Sequence, residues 1–89
     1  MAEVRKRIVF HGRVQGVGFR YKAKHYAQGY GLKGWVRNEY DGTVTVEVQG
    51  EKRFIDQMLI SINQDRYIQV EWIDSEEIPL GTEKGFSIK

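Results

Sequence analysis

Gly12-Arg13-Val14-Gln15-Gly16-Val17-Gly18-Phe19-Arg20 decides how the chain reads. The apolar residues Ile8, Val9 and Phe10 lead into it, and a helical period leads out of it. Two glycines one residue apart allow positive φ and a close approach to the backbone. A turn of this kind, running into a helix start, can aim several N–H groups at one anion. Arg20 then falls on the first helical turn, with a planar fork that matches phosphate or carboxylate oxygens. The stretch therefore reads as a phosphate cradle. On the loop alone a second reading stands beside it, a tight strand-to-helix turn with Arg20 solvated. Two better-known phosphate loops are excluded. G-x-x-x-x-G-K-[ST] has no match, and Tyr21 stands where G-x-G-x-x-G needs its third glycine.

The rest of the chain supplies a scaffold for this loop. Residues 5–13 read as a central strand, because apolar side chains occupy consecutive positions. Phe19, Ala23, Tyr26, Ala27 and Tyr30 follow the period of an amphipathic helix, and Gly31 is placed to cap it. Leu32 to Glu39 reads as a second strand. Asp41-Gly42 then marks a hairpin into Thr43–Gln49, whose strict alternation turns Val44, Val46 and Val48 to a core. Phe54, Ile55, Met58, Leu59 and Ile62 mark a second amphipathic helix. Ile68, Val70 and Trp72 alternate with polar residues in a fourth strand, both tryptophans reading as packing residues. Pro79 and Gly81 punctuate a loop before a short strand, Phe86 to Ile88. The order is βαββαβ plus a tail strand. It predicts an α+β, ferredoxin-like sandwich, an antiparallel sheet with two helices on one face and a short C-terminal strand.

Composition narrows the function. A chain of 89 residues suits one domain, residues 1–89, and its 40% hydrophobic content is that of a globular protein. Cysteine is absent, which excludes disulfide scaffolds, thiolate nucleophiles and cysteine-ligated metal. No apolar run reaches the ~20 residues that span a bilayer, and the N-terminus has no secretory pattern. These features predict a cytoplasmic protein. Residues 1–38 hold nine Lys/Arg and one acid, whereas residues 39–89 hold five and eleven. Basic charge thus lies in the same half as the glycine loop, which favours an anionic ligand there. The net charge of +2 argues against a dedicated duplex-binding protein. His11 and His25, the two histidines, match no zinc spacing and read as structural.

Three stretches together resemble the acylphosphatase family. Gly12 to Arg20 is similar to its signature G-x-V-Q-G-V-G-F-R. Gly31-Leu32-Lys33-Gly34-Trp35-Val36-Arg37-Asn38 resembles its block G-L-x-G-W-V-x-N, and Asp41-Gly42-Thr43-Val44 resembles its D-G-x-V hairpin. The chain departs from the family at Gln64-Asp65-Arg66-Tyr67, where Gly-Pro and an alanine are common, and at the extra glycine in Gln28-Gly29-Tyr30-Gly31. The resemblance implies metal-independent hydrolysis of the carboxyl-phosphate bond of acyl phosphates, with no cofactor. It implies that Arg20 binds the substrate phosphate and that Asn38 orients the attacking water. The loop Gln15, Gly16, Val17, Gly18, Phe19 and Arg20 would hold the phosphate. The expected partner is a small acyl phosphate, with phosphate or another oxyanion as product or inhibitor. Nucleic acid and membrane are not expected, and the protein is expected to be a monomer.

The chemistry asks for little more. Phosphoryl transfer to water is governed by positioning and electrostatics. An acyl phosphate already has a low-pKa leaving group, and no general base is evident. A substrate phosphate oxygen is therefore the expected proton acceptor. Two other readings compete. An RNA-binding module is suggested by the faint likeness of Gly16 to Tyr21 to an aromatic RNP1 strand, though RNP1 belongs on a central strand late in that fold. A regulatory module, or a free-standing relative of the acylphosphatase-like domain of carbamoyl-phosphate-handling maturation proteins, is the other.

Overall fold

The computed structural model describes residues 2–89. In chain order the elements are β1 (Glu3–Arg13), α1 (Phe19–Gly29), β2 (Lys33–Asn38), β3 (Val44–Glu51), α2 (Lys52–Asn63), β4 (Gln69–Ile78) and β5 (Phe86–Ile88). The sheet order is β4-β1-β3-β2-β5. The first four strands pair antiparallel, as expected, and β5 adds parallel to β2. That one parallel pair makes the sheet mixed.

The core explains why these elements meet. Ile8 and Phe10 of β1, Val36 of β2 and Val44, Val46 and Val48 of β3 are buried together with Phe19, Ala23 and Ala27 of α1. Ile55, Met58 and Ile62 of α2 join the same cluster. Each fully buried side chain of this size is worth about 1.5–3 kcal/mol, so this shared apolar face dominates the drive to fold. Phe10 and Phe19 meet edge to face at 4.9 Å, which seats the start of α1 on β1. The end of α1 is closed as the sequence suggests. Leu32 N–H donates to Ala27 O at 2.8 Å and Gly31 N–H to Gln28 O at 3.2 Å, a Schellman closure past Tyr30.

Two expectations are corrected. Alternation sets Trp72 on the same face as Ile68 and Val70 as a packing residue, yet Trp72 is 55% exposed. The cause is a bulge. His11 pairs with Trp72 but Gly12 pairs with Val70, so Glu71 is an extra residue and every later position changes face. Trp72 therefore stacks on His11 at 4.4 Å on the open side of the sheet, while Ile73 pairs with Phe10. The second concerns charge. Much of the basic excess of the first half is neutralised by acids from the second half. Glu47 of β3 accepts from Arg5 Nη2 at 2.9 Å and Arg7 Nη2 at 2.8 Å, and Arg5 also reaches Glu83. The asymmetry along the chain is thus partly a record of cross-strand pairing.

Candidate active site

β1 delivers the loop. Val14, fully buried, anchors the chain just past the strand end, and the backbone turns over Gly16 (φ 74°) and Gly18 (φ 79°). Gly18 occupies the cap position of α1 in the left-handed region, where a side chain would be strained. It offers no side chain to cap the helix. The first intrahelical bond runs from Lys22 N–H to Gly18 O at 3.1 Å, which leaves the N–H groups of Phe19, Arg20 and Tyr21 without helical acceptors. No acidic residue lies in the first turn to neutralise the helix dipole.

The hairpin delivers the other wall. Asn38 is the last residue of β2 and pairs with Val44. Asp41 Oδ1 accepts from Thr43 N–H at 3.0 Å and from the Thr43 hydroxyl, which fixes the turn that the Asp-Gly pair predicts. Gln15 then joins the two walls. Its Nε2 donates to Glu39 O at 2.7 Å and to Thr43 O at 2.9 Å.

Gly16, Gly18, Phe19, Arg20 and Asn38 line one cavity of about 190 Å³, with Val14 and Tyr21 completing it. Of the residues singled out from the sequence, Gln15 and Val17 do not line this cavity. The Gln15 side chain is committed to the hairpin, and Val17 faces a neighbouring depression. Sequence reasoning missed the Gln15 side-chain role, because its partners lie 24 and 28 residues away and are main-chain atoms.

Two side chains that line the cavity each have a polar group without a partner. Arg20 is half-buried and has no carboxylate within ion-pairing distance among the described residues, whereas Arg5, Arg7, Arg37, Arg53 and Lys22 are all paired. Asn38 Oδ1 is buried with no hydrogen-bond donor. An acceptor left so costs about 1–3 kcal/mol, a cost that a ligand or bound water can relieve.

The cavity walls contain no carboxylate and no imidazole. Glu39, next to Asn38, is held below the usual carboxylate range by the Thr45 hydroxyl and then by Arg37, and it does not line the cavity. His11 is engaged elsewhere, its Nε2 lying 2.8 Å from Asp74 Oδ2. Among the described residues no three His, Asp or Glu side chains come together as a metal site. Gly16 to Tyr21, with its faint likeness to RNP1, lies on a loop and a helix start and not on a strand.

A sandwich domain with a glycine turn opening a helix over an uncompensated arginine is the class that fold and cavity define. Comparison with known proteins narrows it. The acylphosphatase family model matches residues 6–88. An acylphosphatase of Ligilactobacillus salivarius is 44% identical over 84 residues, 92% of this chain and 93% of that protein. The crystal structure of the Bacillus subtilis acylphosphatase superposes with a TM-score of 0.90 at 33% identity, covering 97% of this chain and 98% of that one. A full-length HypF in phosphate- and nucleotide-bound form superposes at a TM-score of 0.91 and 31% identity over 99% of this chain, which spans 12% of the HypF chain. The chain belongs to the acylphosphatase family, hydrolases that act on acyl phosphates. No helix among the described residues is long and apolar enough to cross a membrane.

Proposed function

We propose that the protein hydrolyses acyl phosphates without a metal ion, as a cytoplasmic monomer, with Arg20 and Asn38 as its catalytic residues. The phosphoryl group sits against the main-chain amides of the Gln15–Arg20 loop and the Arg20 guanidinium. These donors match charge that grows on the phosphoryl oxygens in the transition state. The Asn38 carboxamide, on the cavity wall, holds a water by a hydrogen bond and aims its oxygen at phosphorus. As that P–O bond forms, the bond from phosphorus to the acyl oxygen breaks, and its electron pair leaves with the carboxylate. The water proton passes to a non-bridging phosphate oxygen of the substrate, since the cavity walls hold no base. The products are a carboxylate and inorganic phosphate.

The observation that carries this reading is that an unneutralised Arg20 and Asn38, whose buried Oδ1 has no donor, line one small cavity. The test is hydrolysis of acetyl and benzoyl phosphate by the wild type and Arg20→Gln, each with and without EDTA. Wild-type turnover should be unchanged by EDTA, and Arg20→Gln should lose at least about 10²–10³ in kcat/KM with unchanged circular dichroism. Full activity in Arg20→Gln, or loss of wild-type activity in EDTA, would refute it.

A further inference from the structure

Gly16 lines two cavities. The second, about 480 Å³, shares Gly16 with the first and is otherwise bounded by Arg13, Val17, Arg66, Tyr67 and Gln69. Arg13 comes from the end of β1, and Arg66 and Tyr67 from the turn between α2 and β4. Neither guanidinium has a carboxylate partner among the described residues. The adjacent acid, Asp65, is already committed: its Oδ1 accepts from Lys22 Nζ at 2.9 Å and from Tyr67 N–H at 2.9 Å. The Tyr67 ring carries Lys22 Nζ at 4.9 Å from its centroid and the Arg66 guanidinium at 6.0 Å. The groove is therefore positive, with Val17 as an apolar part of its lining, and it meets the oxyanion cavity at Gly16.

We propose that this groove receives the acyl end of the substrate and selects acyl phosphates whose acyl group carries a second negative charge. The proposal rests on the reading that the Gly16–Arg20 cavity holds the phosphoryl group. A phosphoryl group seated there, with its acyl chain leaving past Gly16, places a terminal carboxylate or phosphate between Arg13 and Arg66. An exposed ion pair of this kind contributes up to about fivefold in binding, and salt weakens it.

The test compares succinyl phosphate with butanoyl phosphate, which has the same chain length and one charge fewer. At low ionic strength the wild type should favour succinyl phosphate several-fold in kcat/KM. In about 1 M salt, where the Debye length is roughly 3 Å, the ratio should approach unity. Arg13→Gln and Arg66→Gln should each lower the ratio by up to about fivefold, and Arg66→Lys should retain most of it. Both arginines are exposed, and the salt series on the wild type tests the same point without any variant. Equal turnover of the two substrates by the wild type, or a ratio indifferent to salt and to both substitutions, overturns the proposal. Wild-type inactivity on both substrates would instead refute the acyl-phosphate reading, and this proposal with it.

Discussion

The Gln15 side-chain amide donates to the Glu39 main-chain oxygen at 2.7 Å, fastening the glycine loop to the strand end that carries Asn38. The two halves of the cavity come from distant parts of the chain, and this contact sets their separation. The carbonyls involved keep other partners: Glu39 O accepts from Gly42 N–H and Thr43 O from Glu39 N–H. Gln15→Ala should therefore cost only about 1 kcal/mol of stability. It should lower kcat by roughly 10–100-fold, because misplacement of groups by about an ångström is enough to do so. Thermal unfolding and steady-state kinetics on one preparation check both numbers.

Asn38→Ala separates activity from stability in the other direction. The substitution removes a buried acceptor that no protein donor satisfies. Urea unfolding should show no loss of stability, while kcat falls by about 10²–10³. An Asn38→Ala protein that is both active and destabilised would make the residue a structural turn element.

The open face of the sheet predicts an acid limit. Burial pushes the Glu47 carboxyl up, but hydrogen bonds from Arg7 and then Arg5 outweigh it, so it lies below its ordinary 4.5 in the folded state. Glu83 is lowered too, first by its bond from Arg5. A carboxyl with a depressed folded pKa stabilises the fold above its unfolded value, and that stability is lost as the pH falls below it. Unfolding free energy should thus decline below about pH 4.5. Glu47→Gln should lose about 1–2 kcal/mol at neutral pH, since it removes the charge that Arg5 and Arg7 share and leaves Arg5 to Glu83 and Gln49, and its stability should vary less between pH 4.5 and about pH 3. Chemical denaturation across that range checks the slope.

Gly34 in β2 should be the least replaceable position of the sheet. Its φ is 136°, and a Cβ there would run into the Glu47 carbonyl on the neighbouring strand. Backbone cannot yield as a side-chain tip can. Gly34→Ala should destabilise by about 3 kcal/mol or more, measured by equilibrium denaturation.

Legibility in the sequence followed locality. The helices, the Asp41-Gly42 hairpin and the Val44/Val46/Val48 face rest on patterns a few residues long, and all appear where the periodicity placed them. The cavity residues Gly16, Gly18, Phe19, Arg20 and Asn38 were legible because two compact motifs contain them. What escaped notice is held by distant partners. β4 continues to Ile78 through Asp74, Ser75, Glu76 and Glu77, a polar run without alternation that forms a strand because β1 supplies its pairing. The bulge at Glu71 leaves no periodic trace, and it turned Trp72 outward. Arg5 and Arg7 count toward the basic excess of the first half, which Glu47 offsets from another strand.

The central claim is that the amides of Gln15 to Arg20 and the Arg20 guanidinium converge on one oxyanion. Titration of the ¹⁵N-labelled protein with inorganic phosphate, followed by amide and arginine Nε resonances, tests it most directly. The amide signals of Gly16 to Arg20 and the Arg20 Nε signal should shift together along one saturable isotherm, and Arg20→Gln should abolish the response. Saturable shifts clustered elsewhere, or loop amides that stay put while phosphate binds, would contradict it.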